Sequence, residues 1–265
     1  MEDTYEKKLF EAMADYVKEK SQSNNSTKEE LLLQSLHLTN YLGQSRSFIF
    51  NNREVRSIES SIIHPVTVDL MTAKGACGSY AYILCRLLKQ LEIPTRIAQM
   101  KVNGEYGGHI LVEAKTSKGW IVLDGSYDLY FKKPDGNLAS FADVQANWEY
   151  YRSQVPANYD YNYSYEGVRY TNWEKIPVLM PLMKKAFSLF IGKERTEGFS
   201  LRTLFLRKFY VLFWATCFIY LMIVLAVLRR YMRKNRRTLT AHLSGLFSGK
   251  RTPSIESGGL MRRRA

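Results

Sequence analysis

The chain has 265 residues, of which 46% are hydrophobic, so it is long enough for one folded domain with appendages and apolar enough to fill a core. Its formal net charge of +13 is confined to one end: residues 201–265 hold 14 Lys and Arg and one acidic residue, whereas residues 1–200 hold 24 of each sign. This distribution excludes a basic nucleic-acid-binding domain in the first 200 residues, and three cysteines (Cys77, Cys85 and Cys217) are too few for a disulfide framework.

Two helices are predicted at the N-terminal end of the chain. Apolar residues at helical spacing predict the first helix over residues 1–20. Thr27 followed by Glu30 is typical of a capping box, so a second helix is predicted to start there and to end near Tyr41. Residues 43–60 have a mixed pattern that predicts no element.

A third helix is predicted from Cys77 to Leu91, where apolar residues form a stripe that Ile93-Pro94 ends. A cysteine at a helix start lies beside the positive end of the helix dipole, which stabilises a thiolate. The backbone N–H groups there can also bind an oxyanion. The alternative is a small buried cysteine, which is our interpretation of Cys85 in the middle of the same helix.

Three strands are predicted next, at residues 96–102, 109–114 and 120–124. The last two are predicted to form a hairpin in which Ala114 pairs with Gly119 across a four-residue loop. His109 and Asp124 would then lie opposite each other, with Cβ atoms about 5 Å apart. A carboxylate in that position can orient an imidazole, which in turn can take the proton of the Cys77 thiol.

The remaining candidate sites are weaker. His64 is the competing imidazole, but no acidic residue is patterned near it, so it is interpreted as structural. Cys and His residues lack the paired spacing of a metal site, and no glycine-rich phosphate loop is present, so no metal and no cofactor are expected. Residues 140–200 contain a tyrosine-rich stretch and an amphipathic segment at 179–190, neither of which is assigned a role.

A membrane span is predicted from Phe209 to Leu228, a run of twenty uncharged residues that would cover about 30 Å as a helix. The alternative, a buried core helix, rarely lacks a polar face over this length. Six basic residues in 229–237 favour a cytoplasmic tail or could bind anionic headgroups. The first residues do not resemble a signal peptide, so the side of the front domain stays open. The tail is predicted to be disordered after residue 237.

Together these residues resemble the transglutaminase-like superfamily, within the papain-like cysteine protease fold, over about residues 68–131. The resemblance lies in four segments: Lys74-Gly75-Ala76-Cys77, Leu91 to Arg96, His109 to Glu113, and Gly119 to Asp124. It implies an α+β fold with the nucleophile helix packed on an antiparallel sheet. It also implies that Cys77 is the nucleophile, His109 the base and Asp124 the orienter.

This sequence departs from the family pattern at three positions. The family often has an aromatic residue where Leu111 stands and proline where Gly125 stands, and its papain branch has glutamine at Met71. The second oxyanion donor is therefore unnamed.

The expected organisation is an N-terminal helical part (1–66), a catalytic core with a C-terminal extension (67–200), a transmembrane helix (209–228) and a basic, disordered tail (229–265).

The expected function is a membrane-anchored cysteine enzyme that acts on amide or acyl bonds through a Cys77 thioester, as a peptidase, amidase or acyl transferase. Its expected partners are a peptide, protein or glycoconjugate substrate and the lipids around a single span, with no nucleic acid and an open oligomeric state. The alternative is a catalytically silent membrane scaffold that retains the fold, against which the intact Cys-His-Asp set argues.

Overall fold

The structure is a computed structural model that describes residues 2–21, 27–44, 70, 77–204 and 208–248. His64, Met71 and Gly75 lie outside the described residues. The chain divides into two compact units, Met1–Val211 and Leu212–Ala265.

Three helices precede the sheet in the described part of the chain: α1 (Glu2–Lys20), α2 (Lys28–Gln44) and α3 (Cys77–Gln90). The predicted capping box of α2 is confirmed. The Glu30 N–H donates to Thr27 Oγ1 at 3.2 Å, and the Thr27 N–H donates to the Glu30 carboxylate at 2.9 Å. Helix α3 begins at Cys77 as predicted, and past its end Glu92 adopts a φ of +58°, which turns the chain into the first strand.

Five antiparallel strands form one sheet in the order β4-β3-β2-β1-β5. They are β1 (Thr95–Val102), β2 (Glu105–Thr116), β3 (Gly119–Asp124), β4 (Leu129–Tyr130) and β5 (Val168–Arg169). The predicted α+β class, with the cysteine-bearing helix packed on an antiparallel sheet, is confirmed.

The two faces of the sheet bury different partners, because successive side chains of a strand point to opposite sides. On the helical face, strand residues such as Val112 and Leu123 pack against α1, α2 and α3. On the opposite face, which we call the tyrosine face, Leu111 and Val122 pack against the segment of residues 141–170. That face is closed largely by aromatic rings.

The register of the β2–β3 hairpin differs by two residues from the prediction. Thr116 pairs with Gly119 and Val112 with Leu123, so the loop contains two residues instead of four. Two-residue loops match the twist of the flanking strands, and Gly119 supplies a φ of +122° beside the turn. Because strands alternate with period two, a shift of two leaves His109 and Asp124 on the same face. They are diagonal neighbours and not directly opposed.

A bulge in β2 sits immediately before His109, which is the fifth residue of its strand and not the first. Met100 pairs with His109 and Lys101 with Tyr106, so Gly107 and Gly108 are extra residues on the β2 side. Gly107 has a φ of +98°, and a Cβ at Gly108 would lie 2.6 Å from the Cβ of Val102. A bulge bends its strand and redirects the following side chain, which explains why two glycines precede the histidine.

The described chain after β4 is mostly helical. It contains α4 (Phe141–Ala146), α5 (Trp148–Tyr151), α6 (Leu179–Ile191), α7 (Lys193–Glu197), α8 (Leu201–Leu204) and α9 (Lys208–Ser248). Helix α8 still belongs to the first unit, since the Ile97 N–H donates to the Thr203 hydroxyl at 3.0 Å.

Helix α9 covers the predicted span. Its segment Phe213–Arg233 has a mean hydropathy of 1.7 and is not buried, so by length and composition one helix among the described residues could cross a membrane. Residues 229–248, which the sequence assigned to a disordered tail, are helical. Extending an existing helix costs little free energy for Arg and Leu, which supply eight of these twenty residues. Residues 249–265 lie outside the described residues.

Candidate active site

Cys77 is half-buried at the first position of α3. Burial alone raises the pKa of its thiol, but the neighbouring His109 imidazole and a hydrogen bond from the Ile110 backbone N–H outweigh burial. The pKa of Cys77 therefore lies below its usual value, as a reactive thiolate requires.

His109 and Asp124 form a buried pair on the tyrosine face. His109 Nε2 lies 2.6 Å from Asp124 Oδ2, and the two side chains are 1% and 0% exposed. The other carboxylate oxygen accepts a hydrogen bond from the Ser126 N–H at 3.0 Å. Because a carboxylate only accepts, Nε2 carries a proton. The other ring nitrogen, Nδ1, is buried and has no further hydrogen-bond partner among the described residues, so it is the nitrogen that interacts with the Cys77 thiol.

The charges at this site favour one protonation pattern. Burial lowers the pKa of His109, but the Asp124 carboxylate and the Cys77 sulfur outweigh burial and raise it to about 9. A lowered thiol pKa beside a raised imidazole pKa shifts the pair towards a thiolate and an imidazolium. The pair thus offers a nucleophile and a proton donor together.

Tyrosine side chains surround the His109–Asp124 pair. The Tyr163 ring stacks on His109 with centroids 4.1 Å apart and planes 16° apart. The Tyr127 ring packs edge-on against the imidazole, with ring centroids 6.1 Å apart. The Tyr159 hydroxyl lies 3.5 Å from Asp124 Oδ2 as a donor and 3.3 Å from the buried Tyr165 hydroxyl. These rings shield the His109–Asp124 pair from solvent and fix the orientation of the imidazole ring.

The sequence assigned no role to this tyrosine-rich stretch. Its residues lack a period of two or 3.6, so they predict no element and no buried face. The available signal was the density of tyrosine: seven tyrosines fall within residues 150–170, which is unusual for an irregular surface segment.

The turn that follows Asp124 is fixed to α2 and α3. Asn40 Nδ2 donates to the carbonyl oxygens of Gly125 and Ser126, each at 3.0 Å. A Cβ at Gly125 would lie 3.2 Å from the Cβ of Tyr80, and a Cβ at Gly43 would overlap the Tyr80 ring. Glycine at position 125, where the family often has proline, therefore lets the first turn of α3 approach the strand end that carries Asp124.

The other candidates remain apart from this cluster. Cys85 is fully buried, its sulfur lies 3.0 Å from Thr95 Oγ1, and burial raises the pKa of its thiol, all of which fits a structural residue. His37 lies in α2, and its Nδ1 atom is 2.6 Å from Oδ2 of Asp128. Among the described residues, no group of three or more His, Cys, Asp or Glu side chains could hold a metal ion.

Comparison with known proteins adds one match. Residues 38–125 match a family model described as the transglutaminase-like superfamily, so the match begins thirty residues before the resemblance seen in the sequence. It contains Cys77, His109 and Asp124, and with the α+β architecture it supports a superfamily domain in this third of the chain. No curated protein and no solved structure matches the chain.

Proposed function

We propose that the chain is a membrane-anchored cysteine enzyme that acts on an amide or acyl bond through a thioester on Cys77. The observation that carries the proposal is the His109 imidazole. Its Nε2 is bound to Asp124 at 2.6 Å, and its charge lowers the pKa of the Cys77 thiol. The transglutaminase-like match fits such a fold.

The first half of the proposed reaction forms the thioester. The Cys77 thiolate attacks the substrate carbonyl carbon, and the oxygen becomes an oxyanion near the positive end of α3. The carbon–nitrogen bond then breaks as the His109 imidazolium gives its proton to the leaving amine. The products of this half are the acyl-enzyme thioester, a free amine and a neutral imidazole.

The second half releases the acyl group. Neutral His109 takes a proton from water or from an amine, which attacks the thioester carbon. The carbon–sulfur bond breaks, the thiolate returns, and His109 is again an imidazolium held by Asp124. Water yields a carboxylic acid and an amine yields a new amide, so hydrolysis and acyl transfer differ only in the acceptor. A peptide, protein or glycoconjugate is the proposed substrate.

We place the anchor in the apolar segment of α9, Phe213–Arg233, which is long enough to span a bilayer core. The six basic residues in 229–237, which begin in the last turns of this segment, favour a cytoplasmic tail, with the catalytic unit on the other side. Protease protection of closed vesicles tests this orientation, because an external catalytic unit is digested and an internal one is protected.

Acylation of the intact protein tests the chemistry. The full chain is incubated with a reactive acyl ester and its mass is measured before and after hydroxylamine. We expect one acyl mass, removable by hydroxylamine, on the wild type and on Cys85→Ala, and none on Cys77→Ser. A second incubation with a primary amine separates transfer from hydrolysis. Absence of acylation on all three proteins would favour the scaffold interpretation.

A further inference from the structure

Helix α6 exposes a row of large apolar side chains. Leu179, Leu182, Leu189 and Phe190 recur at helical spacing on one side, and Leu189 and Phe190 are 79% and 88% exposed. Val178, just before the helix, is exposed as well. A contiguous apolar row of this kind on a folded unit marks an interaction surface.

The opposite side of α6 is anchored in the first unit. The Phe187 ring lies 5.9 Å from the Trp173 ring and 5.1 Å from the Phe199 ring, both in tilted contact. Trp173 is itself buried. The exposed row is therefore presented by a helix that the unit holds in place, and it belongs to a fixed surface.

Two features of the chain indicate a lipid surface as the occupant. Helix α6 carries no acidic residue and exposes Lys185, which suits anionic headgroups, whereas Lys184 lies 3.9 Å from the Glu197 carboxylate. It ends at Ile191, seventeen residues before Lys208 begins the long helix that contains the apolar segment. A bilayer that holds this segment is thus tethered close to α6, whereas a protein partner would have to be recruited.

We propose that α6 lies in the lipid–water interface of the membrane, with Leu179, Leu182, Leu189 and Phe190 among the acyl chains and Lys185 at the headgroups. Interfacial helices combine these features. The proposal rests on the membrane anchorage of the proposed function and adds a second, peripheral contact that orients the catalytic unit against the bilayer.

Depth-dependent fluorescence quenching tests the proposal on the full chain. A Cys77→Ser, Cys217→Ser background retains the buried Cys85, and an environment-sensitive dye is attached at Leu189→Cys. Tyr161→Cys, at a position that is 92% exposed and outside α6, is the matched control. A Cys77→Ser variant labelled at native Cys217 reports insertion of α9. Each protein is reconstituted into vesicles of phosphatidylcholine with one quarter phosphatidylglycerol, with or without lipids brominated near the headgroup end of their chains.

We expect the dye at position 189 to shift to the blue and to lose most of its emission to brominated lipid, while the dye at 161 is unchanged. If position 189 behaves like 161 while Cys217 is quenched, the anchor stands and the interfacial helix is overturned. A blue shift at 189 without quenching would show that protein covers the row, which also overturns the proposal. Absence of quenching at Cys217 would overturn the anchorage, and absence at both Cys217 and position 189 would overturn the interfacial helix as well. Leu182→Cys, labelled in the same way, repeats the measurement at a second position.

Discussion

The two faces of the sheet are built in different ways, although the candidate site needs both. The helical face packs three regular helices on alternating strand residues, and it supplies Cys77 at the start of α3. The tyrosine face is closed by short helices and irregular chain, and it carries the His109–Asp124 pair under aromatic rings. The proposed nucleophile therefore lies on the face covered by regular helices, whereas the proposed base and orienter lie on strands that irregular chain covers.

This difference decides where substitutions should act. On the helical face, a change at Cys77 removes the reacting atom, whereas a change at Cys85 removes only packing. On the tyrosine face, the rings act through the imidazole, so their loss should weaken catalysis without abolishing it.

Cys77→Ser should lower turnover on the order of 10⁴-fold or more, because the hydroxyl is a far weaker nucleophile than a thiolate and the thioester cannot form. Steady-state turnover of the acyl ester by the full chain in vesicles measures it. Cys85→Ala is the matched control on the same helix and should keep near-normal turnover with a small loss of stability. Equal losses in both variants would contradict the division of roles.

Asp124→Asn should reduce turnover by about 10²–10⁴-fold, because an amide no longer holds a proton on Nε2 or stabilises the imidazolium. The pH dependence of turnover gives a second test, because the direction of its shift can be predicted. Since the Asp124 carboxylate raises the pKa of His109 to about 9, its removal should move the alkaline limb of activity to lower pH. An unchanged alkaline limb would show that another group sets it.

The helical face was largely predictable from the sequence, because its packing repeats with the helix and strand periods. The starts of α2 and α3 and the strand positions followed from Thr27, Cys77 and the apolar alternation. The hairpin register did not, since a two-residue and a four-residue loop preserve the same face pattern. Only the turn geometry at Gly119 selects between them.

The tyrosine face could not be predicted in the same way. Tyr163 reaches His109 from fifty-four residues further along the chain, through a segment without periodicity, so only the folded structure brings the rings together. The sequence shows the two glycines, Gly107 and Gly108, but it does not show that they form a bulge that redirects the following side chain. The exposed row of α6 was visible only as amphipathicity, which does not distinguish a core from a lipid partner.

Tyr163→Ala should lower kcat about two- to tenfold, because the stack that fixes the imidazole plane is worth about 0.5–1.5 kcal/mol. Tyr163→Phe keeps the ring and should retain most of the activity. The matched control is Tyr161→Ala, two residues away and 92% exposed, which should behave like the wild type. Steady-state kcat and KM for the three variants distinguish positioning from binding, and equal effects at 161 and 163 would contradict the positioning role of the Tyr163 ring.

Gly125→Ala should lower the free energy of unfolding by about 1–2 kcal/mol, since its Cβ would press on the Cβ and backbone of Tyr80. The control is Gly78→Ala, where a Cβ meets nothing within 4 Å and helix propensity favours alanine. Thermal unfolding of both variants in detergent, followed by tryptophan fluorescence, compares them. A Gly125→Ala variant as stable as Gly78→Ala would show that the contact with Tyr80 is not tight.

The most direct test of the site is the pH dependence of Cys77 alkylation by iodoacetamide, in a Cys217→Ser background with and without His109→Ala. The lowered pKa of Cys77 and the raised pKa of His109, about 9, predict a thiolate–imidazolium pair between those two values. Alkylation should therefore be fast well below the ordinary thiol pKa of about 8.5, and His109→Ala should move its midpoint upwards. If Cys77 titrates as an ordinary thiol in both proteins, His109 does not activate it, and the proposed thiolate–imidazolium pair is wrong.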